Sequence, residues 1–309
     1  DRGVLMYPYY LRLASKLPEL ANRLQATTLF KKMAGVSPQR QLPAFALVPF
    51  TKGVERAVNA ESSGQNVILL VDIFTQYQNP QIAEDAVTVL KAASLTVHPV
   101  LMKTSPRQLI SQGLLAEAKT ASQQLLGQIN AHPREFLIVG LEPSELLVLR
   151  DELVSLVGAE YKEQASEIKS RAFLLEELLA TQFSSHNAVT ERFTQLLKQD
   201  PVRVAIHTHC HQKSWVGNTS IEIVFSLLPG VTFSVLKTGC CGMAGQLGYE
   251  NPEFSEKVAK TSFLPALITL DKETVLIAGG CSCRAQAAIL ADIKALHPAV
   301  FLAERLFRE

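Results

Sequence analysis

Short runs of consecutive apolar residues alternate along this chain with longer stretches in which apolar residues recur every three or four positions. Such runs are typical of strands buried in a parallel sheet, and the longer stretches are typical of helices that cover it. Strands are predicted at 67–71, 95–101, 136–140, 202–206, 231–236 and 275–278. Helices are predicted at 79–93, 110–126, 144–157, 220–228 and 253–270, and from Arg284 onward. This alternation indicates an α/β fold with mostly parallel sheets.

Two stretches depart from the alternation. Residues 1–40 carry leucines at helical spacing among basic residues, ending near Gly35, which predicts a helical lead-in. Residues 160–200 are rich in Glu, Lys, Leu and Ala, which predicts connecting helices.

The order of predicted elements occurs twice, which indicates an internal duplication. Aligning Ile73 with Cys210 places Thr104 and Ser105 near Cys240 and Cys241, and Glu145 near Cys283. We therefore divide the chain into a helical lead-in (1–60), a first α/β unit (61–158), connecting helices (159–200) and a second α/β unit (201–309). Only the second unit carries thiols.

Composition narrows the class of protein. The chain has 309 residues, 47% hydrophobic content and a net charge of +1, as expected of a globular protein without a charged surface for nucleic acid. Its apolar runs are too short to span a bilayer, so we expect a cytoplasmic protein without a membrane span. Because the chain begins with Asp1, we expect it to be a piece of a longer polypeptide.

All five cysteines lie between Cys210 and Cys283. An odd count without a signal segment argues against a disulfide framework, although any single cysteine could be a buried apolar residue. Glycines at 239, 242, 245 and 248 allow a turn that would bring the adjacent Cys240 and Cys241 to one site. Each cysteine group follows a predicted strand, and loops after parallel strands meet at one edge of the sheet.

Clustered thiols at such an edge are suited to an iron–sulfur cluster, to zinc, or to a redox dithiol without metal. His207, His209 and His211 alternate, which on an extended segment would place them on one face. They could tune a cluster or bind zinc, or they could be polar residues with satisfied hydrogen bonds. The glycines of 239–248 surround thiols and do not form a dinucleotide-binding fingerprint.

Several motifs resemble a known family. In the second unit these are His209-Cys210-His211, Gly239-Cys240-Cys241-Gly242, Gly248-Tyr249-Glu250 and Ser282-Cys283-Arg284-Ala285-Gln286. In the first unit they are 71–80, 109–113 and 140–145. The chain resembles the cysteine-rich CCG-domain family over residues 40–309. That domain occurs in heterodisulfide reductase subunits, in the partner subunit of anaerobic glycerol-3-phosphate dehydrogenase, and at the C-terminus of large FAD-linked oxidases of D-2-hydroxy acids.

The resemblance implies two CCG-type units in pseudo-twofold arrangement, with one metal site in the second. Cys210, Cys240, Cys241 and Cys283 match the family pattern, so we expect them to bind an iron–sulfur cluster of the 4Fe–4S type, or zinc in its place. Cys281 departs from the usual Cys-x-x-Cys spacing and is a further candidate, as are His209 and His211. The first unit lacks the cysteines, so no second cluster is expected there, and its loop edge should be buried against the second unit.

By this resemblance, the chain is an iron–sulfur electron-transfer domain of a flavin-dependent oxidoreductase of D-2-hydroxy acids such as lactate or 2-hydroxyglutarate. FAD would lie in an upstream part or a partner, so the chain alone should be inactive. Expected partners are a flavin-binding domain or subunit and a further ferredoxin-like iron–sulfur module. The alternatives are a zinc-binding structural or docking domain and a metal-free redox dithiol.

Overall fold

Two parallel sheets form the framework of the protein. The structure, a computed structural model, describes residues 2–52 and 64–307. In the first sheet, β1 (Gln65–Val71), β2 (Leu95–Leu101), β3 (Leu137–Gly140) and β4 (Ala172–Leu174) lie in the order β2-β1-β3-β4. In the second, β5 (Val202–His207), β6 (Val231–Val235) and β7 (Val275–Ala278) lie in the order β6-β5-β7. The predicted α/β class with parallel sheets and an N-terminal helical segment is therefore confirmed.

The two sheets repeat the same strand order and the same register. Gln65 pairs with Leu95 as Val202 pairs with Val231, each the first residue of its strand. In both sheets, the third residue of the central strand pairs with the first residue of the third strand. This repetition agrees with the duplicated sequence pattern. The exact unit boundaries stay predictions, and the one at residue 60 lies outside the described residues.

Helices connect the strands and cover both sheets. The lead-in contains Arg2–Ala14, Pro18–Gln25 and Thr28–Met33. Around the first sheet lie Ile73–Tyr77, Pro80–Ala92, Pro106–Ser111, Leu115–Asn130, Pro143–Arg150, Leu153–Leu156, Lys162–Ser170, Leu175–Ser185 and Asn187–Gln195. Around the second lie Cys210–Trp215, Thr219–Ser226, Leu247–Glu250, Pro252–Ala259, Phe263–Ile268, Cys281–Ala291 and Pro298–Arg305. Two short 3₁₀ turns lie earlier in the chain, at Phe50–Lys52 and Ala159–Tyr161.

Several long helices expected from the sequence are broken in the structure. The one predicted at 110–126 is two helices, because Gly113 has a φ of +72° and ends the first of them. The helices predicted at 144–157 and 253–270 are likewise each two. The region 159–200 is not helical throughout, since β4 lies within it. A strand of three residues is too short to give a periodic signal.

A continuous apolar core joins the two sheets. One cluster of buried residues contains Leu69 and Val139 from the first sheet, Val204 and Ile277 from the second, and Leu302 from the last helix. That last helix, Pro298–Arg305, packs against Pro80–Ala92 of the first half. The halves therefore share one core. Among the described residues, no helix is both long and apolar enough to cross a membrane.

The lead-in packs across both halves. Leu11, Ala14 and Ala21 form a small core with Ile73 and Tyr77 of the first half. Farther along the lead-in, the backbone N–H of Ser37 donates to the Tyr249 carbonyl at 2.8 Å in the second half. The buried Arg40 guanidinium donates to Gln286 at 3.3 Å. The lead-in thus bridges the two units.

Truncating a side chain in the shared core should destabilise both halves together. We expect Leu302→Ala to lower the free energy of unfolding by about 2–5 kcal/mol, because Leu302 is completely buried. Circular dichroism and the fluorescence of Trp215, the only tryptophan in the sequence, should report one common transition. The exposed Leu115→Ala is the control and should change stability little. Two separate transitions would contradict a shared core.

Candidate thiol site

The carboxyl ends of β5, β6 and β7 bring the cysteines together. Cys210 is the first residue of the helix that follows β5, and Cys240 and Cys241 lie in the loop after β6. Cys281 and Cys283 occupy the first turn of the helix after β7. Since the strands are parallel, these three connections lie at the same edge of the sheet.

Four of the thiols form a continuous chain in which neighbouring side chains shift one another's pKa values. Cys210 contacts Cys240, Cys240 contacts Cys241, and Cys241 contacts Cys283. Hydrogen bonds from Cys210 and Cys241 lower the pKa of Cys240, and the bond from Cys241 lowers that of Cys283. Cys210 and Cys241 are the donors in these contacts, and donating raises their own pKa values. The four thiols therefore behave as one electrostatic unit.

The chain of thiols runs from the surface into the protein. Cys210 is exposed and Cys240 is half-buried, whereas Cys241 and Cys283 have only 4% and 2% of their surface exposed. The inner end of the chain is shielded from water and the outer end is accessible.

The turn that holds Cys240 and Cys241 depends on Gly242. Its φ is +90°, and a Cβ there would lie 2.2 Å from the Ser255 carbonyl oxygen. Its backbone N–H donates to the Cys240 sulfur at 3.4 Å. The predicted turn is therefore present, and one of its amides already faces a sulfur, as expected for a site that holds an anionic group.

The helix that begins at Cys210 interrupts the alternation of the three histidines, because His211 lies in it whereas His207 and His209 precede it. His207 ends β5, where its Nδ1 pairs with the Thr238 hydroxyl at 2.7 Å and its ring contacts Cys283. His209 caps the next helix, accepting the His211 N–H at 3.3 Å, and His211 lies within that helix. His209 is still extended, with φ −56° and ψ 140°, and the helix begins at the next residue, so the extended segment does not reach His211.

Two nearby basic residues brace the loops. Lys213 Nζ donates to the Thr238 carbonyl, and Arg284 Nη1 donates to the Ala278 carbonyl at 3.0 Å. Both cations therefore bind backbone carbonyl oxygens, Lys213 in the loop after β6 and Arg284 at the end of β7.

Cys281 is separate from the thiol chain. Its backbone N–H donates to Oε2 of Glu142, from the first half, at 2.7 Å. Burial raises the pKa of the Cys281 thiol, and the Glu142 carboxylate raises it further and accepts its hydrogen bond. The Glu142 carboxylate therefore accepts from the backbone N–H of Cys281 and also contacts its thiol. The sequence carries no signal for this contact, because the two residues belong to different units.

At the loop edge of the first half, other buried side chains stand at the positions equivalent to thiols. Ile73 begins a helix as Cys210 does, and Glu145 is the third residue of its helix as Cys283 is. The Ser105 hydroxyl donates to Glu145. Burial raises the pKa of Glu145 to about 8, and the neighbouring Asp72 and Glu142 carboxylates add to the shift. This edge contacts the second half through Glu142, whereas Ile73 packs against the lead-in, so its burial against the second unit is found only in part.

Within residues 2–52 and 64–307, no group of three or more His, Cys, Asp or Glu side chains has the arrangement of a site for a metal ion. The assignment of Cys210, Cys240, Cys241 and Cys283 as ligands, with Cys281, His209 and His211 as further candidates, therefore stays a prediction.

Comparison with known proteins gives relatives but no family model. The chain is 27% identical over 275 residues to D-2-hydroxyglutarate dehydrogenase of Escherichia coli (strain K12), a match that covers 87% of this chain and 25% of that protein. The same enzyme of Pantoea ananatis (strain AJ13355) is 26% identical over 273 residues, 86% of this chain and 25% of that protein. A subunit of the anaerobic glycerol-3-phosphate dehydrogenase of Escherichia coli (strain K12) is 23% identical over 278 residues, 88% of this chain and 67% of its own length. No family model matches.

The chain thus spans about a quarter of the length of the two D-2-hydroxyglutarate dehydrogenases. It spans two thirds of the glycerol-3-phosphate dehydrogenase polypeptide that it matches. All three relatives are named as dehydrogenases or parts of them, which supports an oxidoreductase role.

Replacing Gly242 should distort the thiol turn. We expect Gly242→Ala to cost about 1–3 kcal/mol of folding stability, because its positive φ is strained for alanine and the new methyl group meets Ser255. Thiol alkylation followed by mass spectrometry should show faster reaction of Cys241. Gly245→Ala is the matched control, since φ there is also positive (+63°) but the space is open. Equal effects of the two variants would show that the contact with Ser255 is unimportant.

Glu145 should make stability depend on pH. Its pKa is about 8 in the folded protein and about 4.5 in the unfolded chain, so the folded state binds the proton more tightly. The contribution of Glu145 to the free energy of unfolding is fully present below pH 4.5. It is lost as the pH rises to about 8, by up to about 1.4 kcal/mol per pH unit. Glu145→Gln should remove this loss, so denaturant unfolding between about pH 5 and pH 8 should show a growing advantage of the variant. A constant difference across that range would contradict a protonated Glu145.

Proposed function

We propose that this chain is the iron–sulfur electron-transfer part of a flavin-dependent oxidoreductase that acts on a D-2-hydroxy acid. The observation that carries the proposal is that Cys210, Cys240, Cys241 and Cys283 lie together at the carboxyl edge of the second sheet, where they shift one another's pKa values. Four clustered thiolates are the ligand set that iron–sulfur clusters use.

The residues around the thiols suit such a cluster. Its ligands must lose their protons, and Cys240 and Cys283 already have lowered pKa values. The Gly242 amide donates to the Cys240 sulfur, and hydrogen bonds of this kind tune the potential of a cluster. When bound, the cluster would accept and pass on single electrons. The chain's own residues would hold it, shield its inner side and leave its outer side at Cys210 accessible.

The substrate class rests on the relatives. Two of them are D-2-hydroxyglutarate dehydrogenases, and the motifs around the cysteines resemble those of FAD-linked oxidases of D-2-hydroxy acids. Because this chain matches only a quarter of those enzymes, the flavin and the substrate site would lie in another domain or subunit. That flavin-binding part, with a further ferredoxin-like iron–sulfur module, would be the chain's electron-transfer partner in the cytoplasm.

Anaerobic purification tests the proposal through cysteine variants. We expect the intact chain to contain iron and acid-labile sulfide and to absorb broadly in the visible range, as thiolate-bound iron does. Cys241→Ser should lose the bound metal, because removing one thiolate opens a coordination position and unbalances the charge. Cys281→Ser is the matched control and should keep most of it, since Glu142 holds Cys281 outside the thiol chain.

The other outcomes identify the alternatives. Stoichiometric zinc without visible absorbance would point to a structural or docking domain. A metal-free protein in which two thiols reversibly form a disulfide would point to a redox dithiol. Loss of metal from Cys281→Ser together with its retention in the Cys283→Ser variant would overturn the ligand assignment alone.

A further inference from the structure

The helices of the lead-in each expose large apolar side chains. In Arg2–Ala14, Leu11 and Ala14 are buried while Met6, Tyr9 and Leu13 are exposed. The next two helices repeat this exposure. We call the exposed set the apolar stripe: Met6, Tyr9, Leu13, Leu17, Leu20, Leu24, Leu29 and Met33. Its members recur mostly at three- and four-residue steps, as on one side of a helix.

This exposure is concentrated in one part of the molecule. Of the described residues, ten of the seventeen exposed large apolar side chains lie between Met6 and Val48. Single exposed leucines are ordinary, but a concentration of exposed apolar side chains on one segment is typical of an interaction site. The opposite faces of the first two helices are occupied by the small core with Ile73 and Tyr77, so the stripe is a separate surface.

The stripe lies close to the thiol edge. The first helix of the lead-in packs against Ile73–Tyr77 at the loop edge of the first half, where Glu142 accepts the Cys281 amide at 2.7 Å. A partner on the opposite side would be separated from that edge by one helix, about 10 Å thick. The same helix packs against Pro106–Ser111, which packs against Pro143–Arg150, and this helix in turn packs against the one that begins at the exposed Cys210. The stripe is therefore connected to both ends of the thiol site through packed helices.

Charge indicates the kind of partner. Residues 1–36 contain six basic residues and two acidic residues, Asp1 and Glu19, although the whole chain has a net charge of only +1. A surface that combines apolar side chains with excess positive charge complements an apolar patch framed by carboxylates.

We propose that the apolar stripe is the docking surface for the flavin-bearing dehydrogenase part, through an acidic and partly apolar protein surface. This inference rests on the proposed function. We take the occupant from the relatives, because this chain matches only 25% of the Escherichia coli D-2-hydroxyglutarate dehydrogenase and the unmatched part would exchange electrons with the thiol site under the proposed function. Docking on the stripe places that part beside the thiols.

The shape of the stripe favours a protein over a membrane. It is divided among helices of 13, 8 and 6 residues, separated by turns at 15–17 and 26–27. A helix that lies in a membrane interface instead presents a continuous apolar face.

The test measures binding of the intact 309-residue chain to one defined probe. The probe is the Escherichia coli D-2-hydroxyglutarate dehydrogenase, loaded with flavin, from which the region matching this chain has been deleted. We expect saturable binding that weakens with salt, as for a charged interface. The Leu13→Asp/Leu20→Asp variant should bind at least tenfold more weakly.

The control is Leu115→Asp/Ile268→Asp, which places the same charges at exposed apolar positions outside the lead-in; Leu13 and Ile268 are both 69% exposed. It should bind as the wild type does, and unfolding curves should show that both variants remain folded. Absence of binding, or equal weakening by both variants, would overturn the proposal. So would stripe-dependent binding to phosphatidylglycerol vesicles without binding to the probe, or stripe-dependent dimerisation of the chain.

Iron content and visible absorbance of the same preparations separate this inference from the proposed function. A chain that contains the cluster but does not bind the probe overturns only the docking surface. A chain that binds the probe through the stripe but cannot hold iron overturns only the iron–sulfur role.

Discussion

The hydrogen bond from the Cys281 amide to the Glu142 carboxylate joins the two halves of the molecule at the point where the thiol site is assembled. Glu142 is almost fully buried and its second oxygen accepts from the Ser144 hydroxyl at 2.9 Å. A carboxylate at a helix N-terminus is favoured by the unpaired amides there. Since Cys283 is in the same first turn, the first half helps to position a thiol that it does not itself contain.

A second set of contacts reaches the thiol turn from the lead-in. Arg40 donates to Gln286, Gln286 Nε2 donates to the Ser255 hydroxyl at 3.0 Å, and the Ser255 carbonyl packs against Gly242. The Arg40, Gln286 and Ser255 side chains are buried, so their partners must stay in place for them to remain satisfied. The lead-in is therefore connected to the site through side chains as well as by proximity.

The sequence predicted what local periodicity and repetition encode. Strands such as 67–71 and 275–278 are apolar throughout, and the duplication correctly aligned Ile73 with Cys210 and Glu145 with Cys283 at equivalent helix positions. Contacts between distant segments could not be predicted in this way. Glu142 with Cys281 and Arg40 with Gln286 depend on how the halves pack, and the helix that starts at Cys210 overrides the extended pattern that the histidines suggested.

The distribution of protons over the thiols bears on what the site can hold. Four thiols in mutual contact cannot all ionise, because neighbouring negative charges in a buried site repel one another. The pKa values of Cys240 and Cys283 are lowered, whereas those of Cys210 and Cys241 are raised. Each of the two more acidic thiols is therefore stabilised as a thiolate by a proton that a neighbouring thiol keeps. His209 contributes to the lowered pKa of Cys240, and His207 and His209 to that of Cys283, whereas the cations Lys213 and Arg284 are bound to backbone carbonyls. A metal that displaces the shared protons would supply further positive charge where the thiols meet.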